Sequence, residues 1–159
     1  MQAALLSSVK MDWCTPSCVL ERVRRVGVIV LDPCTMPDNP CDALQWCDSD
    51  GLDVEWGDGL TYVNPPYGRE LPRWLAKCRV EAGAGAEIIA LVPSRTDTAW
   101  WHASAEDCDA IAFWRGRLTF EGAPAPAPFP SCLFYWGHRT GVFKRAFRDV
   151  ARVIPGGGA

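Results

Sequence analysis

Two adjacent prolines, Pro65 and Pro66, fix the end of one buried strand. They follow the apolar stretch Leu60 to Val63, with Asn64 between the stretch and the prolines. Proline has no N–H to donate to a sheet ladder, so the strand must end before Pro65. The sequence therefore predicts a strand that runs into a rigid loop displaying Asn64 and Tyr67.

This loop can serve chemistry as well as structure. The Asn64 side-chain oxygen and the Pro65 carbonyl can both accept hydrogen bonds from one amino group. Tyr67 offers a flat face for a planar base or amide. Two acceptors on an amino nitrogen would turn its lone pair toward an electrophilic methyl group. A plain turn is the alternative, because Asn and Pro both favour turns.

Strand-like and helical patterns alternate along the chain, which predicts an α/β fold with a mostly parallel sheet. The last pair of strands is expected to be antiparallel around a proline-rich loop. Thr15 is expected to cap the first helix, and Ser94 or Thr96 the helix that carries Trp100 and Trp101. The predicted strands are 26–31, 60–64, 87–92, 110–114, 118–120 and 131–136, and the predicted helices include 16–26, 39–46, 71–81 and 140–154.

The chain has 159 residues, of which 48% are hydrophobic, and this supports one domain. Its core is expected to span about 12–154, with a flexible tail at 155–159. The sequence has no apolar run of about 18 residues and no secretory signal, so we expect a cytoplasmic protein that does not enter membranes. The eight cysteines are expected to stay reduced, and their spacing does not favour a metal site.

Ligands of open α/β sheets bind beyond the carboxyl ends of the strands, where the strand order reverses. Asp32-Pro33-Cys34 and Asn64-Pro65-Pro66-Tyr67 both follow predicted strands. We therefore expect the two segments to face one cleft.

Six short segments occur in a characteristic order. They resemble the phage-type DNA N6-adenine methyltransferases, the small Dam-like family of phages and prophages, and the resemblance covers roughly residues 12–136. The segments are Asp12-Trp13-Cys14-Thr15-Pro16, Asp32-Pro33-Cys34, Asn64-Pro65-Pro66-Tyr67, Ser94-Arg95-Thr96-Asp97-Thr98, Arg115-Gly116-Arg117-Leu118 and Ala127-Pro128-Phe129-Pro130-Ser131.

The resemblance implies a compact Rossmann-like class I methyltransferase fold that uses S-adenosylmethionine and is encoded by a phage or prophage. It assigns the cofactor to Asp32, Pro33 and Cys34, with its methionine part against Trp13, Thr15 and Pro16. It assigns the target base to the catalytic segment Asn64, Pro65, Pro66 and Tyr67. Asp50 is the candidate for the ribose hydroxyls, because a carboxylate suits a vicinal diol, and Asp53 is the reserve choice.

The chain departs from larger methyltransferases in three respects. No glycine-rich turn follows Asp32, so something else must hold the aminoacyl end of the cofactor. The segment from Asp32 to Asn64 is too short for two full strand and helix units. A separate target-recognition domain is missing, so sequence reading would come from loops or from the second subunit of a homodimer.

Charge is distributed unevenly, although the net charge is −3. Residues 32–58 hold eight acids and no bases, which suits a cationic cofactor, whereas residues 110–159 hold seven bases and two acids. Arg115 and Arg117 are candidate DNA contacts. The remaining candidates are Arg95, Asp97, Lys144 and Arg148, although the basic helix face that carries the last two could simply be solvated.

The sequence thus favours DNA adenine N6-methylation, which requires a flipped or single-stranded base. Two alternatives remain open. One is a methyltransferase that acts on RNA or on a protein glutamine amide. The other is a non-catalytic module on a methyltransferase fold that binds DNA or a phage partner.

Overall fold

A computed structural model describes residues 13–159, which form seven strands and four helices. The strands are β1 (Ile29–Asp32), β2 (Gln45–Trp46), β3 (Leu60–Val63), β4 (Glu87–Pro93), β5 (Ala110–Trp114), β6 (Ser131–Trp136) and β7 (Ala151–Pro155). The helices are α1 (Ser17–Val26), α2 (Leu71–Gly83), α3 (Ala99–Asp107) and α4 (Thr140–Phe147). Asp12, the first residue of the resemblance, lies outside the described residues.

All seven strands form one sheet in the order β2-β1-β3-β4-β6-β5-β7. β2, β1, β3 and β4 are parallel, and β6 runs antiparallel to both β4 and β5. The expected mixed α/β sheet is therefore confirmed. β1, β2, β3, β4 and β5 all end at the same edge, which we call the carboxyl edge. The strand order reverses between β1 and β3, so a crevice is expected there.

Helices cover the sheet in two packed pairs, α1 with α4 and α2 with α3. The apolar residues of α1 recur at helical spacing and are buried, as predicted. β3, β4 and β6 are buried along their whole length and form the centre of the core. No helix within residues 13–159 is long and apolar enough to cross a membrane.

Several predicted elements were wrong. Turns and the two-residue strand β2 replace the helix predicted at 39–46, and residues 118–120 form no strand. The last helix ends at Phe147 because Val153 and Ile154 pair with β5 as strand β7. The antiparallel partner of β6 across the proline-rich loop is consequently β5.

The predicted helix caps also differ in the structure. Pro16 precedes α1, whereas the Thr15 hydroxyl bonds to Tyr62. Thr98 precedes α3 and makes no side-chain cap, and its hydroxyl donates to the Arg95 carbonyl. Thr15 is thereby available to interact with the loop after β3.

The glycines after β7, predicted to form a flexible tail, bond to residues at and after the end of α3. The N–H of Gly156 donates to the Asp109 carbonyl, and the N–H of Gly157 to the Ala105 carbonyl. These contacts lie at the sheet edge opposite the carboxyl edge.

Candidate functional site

A cavity of about 330 Å³ opens at the carboxyl edge between β1 and β3, where the strand order reverses. This volume lies in the range of small-molecule sites. Its lining combines acids, thiols, small residues and two tryptophans. The lining residues are Trp13, Cys14, Thr15, Asp32, Pro33, Cys34, Thr35, Met36, Pro37, Pro40, Cys41, Asp48, Ser49, Gly51, Asn64, Pro66 and Trp74.

The amide of Asn64 is held in one orientation by two hydrogen bonds. Its Nδ2 donates to the main-chain carbonyl of Trp13 at 2.5 Å and to Thr15 Oγ1 at 3.0 Å. A carbonyl oxygen can only accept, so the amide must turn its nitrogen toward Trp13. Both hydrogens of Nδ2 are thus engaged, and the other arm of the amide is the acceptor Oδ1.

Asn64 Oδ1 is buried and accepts no hydrogen bond from the described residues. A buried acceptor without a donor costs about 1–3 kcal/mol, so it points to a missing partner. Among the described residues, no backbone N–H donates to the Pro65 carbonyl either, whereas the Gly68 N–H donates to the Pro66 carbonyl. The loop after β3 therefore holds two acceptors that could share one amino group.

Tyr67 belongs to an aromatic cluster behind this loop. The residue is only 8% exposed and its hydroxyl donates to the Leu91 carbonyl. Phe120 and Phe129 pack edge-on against it, with ring centroids 5.9 and 5.6 Å away. Trp13 also packs edge-on against Phe120 and lines the cavity. Trp13 thus offers the more accessible ring, and stacking by Tyr67 itself stays a prediction.

The cavity is also lined by Asp32, which is 3% exposed at the end of β1. Its Oδ1 accepts a hydrogen bond from the Cys34 N–H at 3.2 Å. Burial raises the pKa of the Asp32 carboxyl, and hydrogen bonds from Cys41 and Cys34 oppose part of that shift. Burial also raises the pKa values of the Cys34 and Cys41 thiols, so both stay protonated near neutral pH.

The loop after β2 closes the cavity with Asp48, Ser49 and Gly51. Gly51 packs against Pro33 and its carbonyl accepts a hydrogen bond from the Trp56 indole. Asp50, the residue predicted for the ribose, does not line the cavity, although its neighbours do. Within the described residues, no three His, Cys, Asp or Glu side chains are grouped to hold a metal ion.

The predicted DNA contacts lie elsewhere on the carboxyl edge. Arg95 and Asp97 follow β4, and Arg115 and Arg117 follow β5, all with exposed side chains. Arg148 precedes β7, whose first residue pairs with the last residue of β5, and Lys144 lies in the last turn of α4. None of these residues lines the cavity. The edge is therefore acidic around β1 and β2 and basic around β5 and α4.

The structure thus brings most predicted cofactor and catalytic residues to one cavity. Trp13, Thr15, Asp32, Pro33, Cys34, Asn64 and Pro66 line it, whereas Pro16, Asp50, Pro65 and Tyr67 do not. Sequence reasoning missed Asp48, Ser49, Gly51 and Tyr62. The Asp50-Gly51 pair indicates a loop in the sequence. No pattern around that pair indicates which side chain faces the cavity.

A family model of the DNA N-6-adenine-methyltransferases (Dam) matches residues 2–128. The match includes the whole cavity and the loop from Asn64 to Tyr67, and it ends between β5 and β6. No curated protein matches the chain.

Proposed function

Because the chain belongs to the DNA N-6-adenine-methyltransferase (Dam) family, we propose that it methylates the exocyclic amino group of adenine in DNA with S-adenosylmethionine as methyl donor. The family supports the reaction class. The roles of individual residues rest on the geometry of the carboxyl edge.

The observation that carries the proposal is the buried, unpartnered Oδ1 of Asn64 beside the cavity. An adenine amino group supplies the missing donor, and the Pro65 carbonyl can accept its second hydrogen. Accepting both hydrogens draws the nitrogen lone pair out of conjugation with the ring. The amine is then a better nucleophile, and it can lose its proton to water after the transfer.

The cavity residues fit the cofactor that the family implies. S-adenosylmethionine is cationic at its sulfonium and amino groups, and the cavity carries the carboxylates of Asp32 and Asp48. The close packing of Gly51 on Pro33 brings the loop after β2 against the loop after β1. When bound, this cofactor would supply the electrophilic methyl group, and the electrons of the broken methyl carbon–sulfur bond would stay on its sulfur as a neutral thioether. We propose that Asp32, Cys34, Trp13 and Thr15 hold it and that Asp48, rather than Asp50, lies at its ribose.

A stacked adenine cannot enter this cavity, so the target base must be flipped or single-stranded. Stacking on Trp13, or on Tyr67 after rearrangement of the cluster, would offset the lost base stacking. The basic residues of the carboxyl edge would contact phosphates, and Asp97 would lie beside them. These basic residues are Arg95, Arg115, Arg117, Lys144 and Arg148. This arrangement keeps the DNA backbone away from the acidic half of the edge.

The test is transfer of a labelled methyl group from S-adenosylmethionine to unmethylated genomic DNA, followed by digestion to nucleosides. N6-methyldeoxyadenosine should form, and Asn64→Ala should abolish it while cofactor affinity changes little. Cofactor binding without transfer to DNA would favour RNA or a glutamine amide as substrate. Absence of cofactor binding would favour a non-catalytic module.

Four finer attributes belong to the same proposal: a phage or prophage origin, a cytoplasmic site of action, a single domain and a possible homodimer. A homodimer would supply a second basic edge for contact with DNA. Sedimentation of the full chain with and without DNA measures the oligomeric state directly.

A further inference from the structure

Asn64 is linked to two hydroxyl groups behind it. Its Nδ2 donates to Thr15 Oγ1 at 3.0 Å, and Thr15 Oγ1 lies 2.9 Å from the Tyr62 hydroxyl. Thr15 is 6% exposed and Tyr62 is fully buried. The three polar groups therefore form a short, largely buried hydrogen-bonded chain.

Together with the Trp13 carbonyl, the chain fixes how the Asn64 amide meets a substrate. A threonine oxygen has two lone pairs and one hydrogen, so it can accept from Asn64 while it exchanges a hydrogen bond with Tyr62. Without Tyr62, the Thr15 hydrogen is free to turn toward Asn64. The Trp13 carbonyl would still hold Nδ2, but that bond alone would leave the amide free to tilt, so Oδ1 would no longer be fixed toward the substrate.

Burial keeps this arrangement in one protonation state. The pKa of the Tyr62 hydroxyl is raised well above its ordinary value by burial, with nearby thiol and tyrosine groups adding to the shift and Thr15 opposing it. Tyr62 is thus neutral throughout the working pH range. Its hydroxyl can donate to Thr15 Oγ1 or accept from it.

We propose that Tyr62 and Thr15 are positioning residues that hold Asn64 as an acceptor and so select a base with an amino group over one with a carbonyl at the same position. The inference rests on the proposed function, because it concerns how Asn64 meets the base. Tyr62 does not line the cavity and acts through Thr15. When Asn64 presents only its acceptor Oδ1, it can bind the amino group of adenine. Hypoxanthine carries an oxygen at the same position, and the two oxygens repel each other.

The first test compares Tyr62→Phe with Tyr135→Phe. Both tyrosines are fully buried in the sheet, but the Tyr135 hydroxyl bonds to Glu87 at the opposite edge. Single-turnover methyl transfer to unmethylated genomic DNA should fall by about tenfold in Tyr62→Phe, with unchanged affinity for S-adenosylmethionine. It should stay near wild type in Tyr135→Phe at a temperature where both variants are folded. Equal losses in the two variants would overturn the proposal.

The second test measures base discrimination, which a purely structural role would not alter. Two single-stranded oligonucleotide pools are made, one with adenine and the other with hypoxanthine at the same positions. Each pool is added to the transfer assay as a competitor of the DNA substrate. Wild type should be inhibited more strongly by the adenine pool. Thr15→Val should narrow the ratio of the two inhibition constants by about tenfold, and Thr15→Ser should restore it.

An unchanged ratio in Thr15→Val would overturn the assignment of selectivity to this hydroxyl. Inactive wild-type protein would instead refute the proposed function, so the two failures are distinct. Thr15→Ser separates the hydroxyl from the packing of the threonine methyl group. Loss of activity in Thr15→Ser as well would attribute the effect to packing and contradict the proposal.

Discussion

Gly51 lies so close to Pro33 that an added Cβ would come within 1.7 Å of the Pro33 carbonyl oxygen. The loop after β2 therefore rests directly on the loop after β1. Both residues line the cavity, so this contact forms part of its wall. The chain has no glycine-rich turn after Asp32, and Gly51 supplies a close backbone approach from a different loop.

Gly51→Ala should force the two loops apart and weaken cofactor binding by about tenfold or more, because the clash involves backbone that cannot rotate away. Isothermal titration with S-adenosylmethionine measures the loss. Gly83→Ala is the matched control, since a Cβ there meets no atom within 4 Å and the residue ends α2. Equal affinities in the two variants would contradict a role for the Gly51 contact.

Asp48 and Asp50 provide a second matched pair in the same loop. Both side chains are exposed, but only Asp48 lines the cavity. If Asp48 bonds to the ribose hydroxyls, Asp48→Asn should weaken cofactor binding by about tenfold, because hydrogen bonds to a charged group are the stronger ones. Asp50→Asn should bind nearly as wild type. The reverse result would restore Asp50 as the ribose ligand.

Asp32 should make folding stability depend on pH. Its folded pKa is raised by burial, so the folded state holds the proton more tightly than the unfolded state does. The contribution of Asp32 to stability should therefore decrease as pH rises from the unfolded value, near 3.8, through the folded value, and then level off. Asp32→Asn lacks this decrease in stability. The free energy of unfolding of Asp32→Asn relative to that of wild type should therefore increase across the same pH window.

Urea unfolding at several pH values checks this prediction. Asp38→Asn is the control for net charge, because it removes the same charge from an exposed position in the loop between β1 and β2. A stability difference between Asp32→Asn and wild type that is constant with pH would show that burial of this carboxyl does not destabilise the folded protein.

Local chemistry explains which features could be predicted from the sequence. The loop from Asn64 to Tyr67 follows from covalent geometry, because proline ends a strand wherever it occurs. The carboxyl-edge location of Asp32 and Asn64 follows from strand polarity. The resemblance added the cofactor and the target base, and the family match supports that reaction class.

Contacts between distant segments explain the features that could not be predicted from the sequence. Val150 to Ile154 fits a helical or a strand pattern, and pairing with β5 decides for strand β7. Asp48 lines the cavity because Gly51 packs on Pro33, a contact that no local pattern encodes. Tyr67 is buried because Phe120 and Phe129 cover it.

Arg115 and Arg117 should determine the salt dependence of DNA binding. They follow β5 on the basic half of the carboxyl edge, and both are exposed. Each phosphate contact releases condensed counterions, so the binding constant falls with salt concentration on a log–log plot by about 0.9 per contact. Arg115→Gln with Arg117→Gln should make that slope shallower by about 2 if each residue contacts one phosphate. Fluorescence anisotropy with labelled duplex DNA at several salt concentrations measures the slope.

Arg79→Gln provides the charge control for Arg115→Gln and Arg117→Gln. It removes one positive charge at the opposite edge, where Arg79 pairs with Asp107 at the end of α3. If position on the edge matters, Arg79→Gln should leave the slope nearly unchanged, because its guanidinium lies away from the cavity mouth. If only net charge matters, Arg79→Gln should shift the slope as much as either arginine of the carboxyl edge does alone. That second result would exclude the basic half of the carboxyl edge as the DNA contact surface. DNA would then have to approach the cavity by another route.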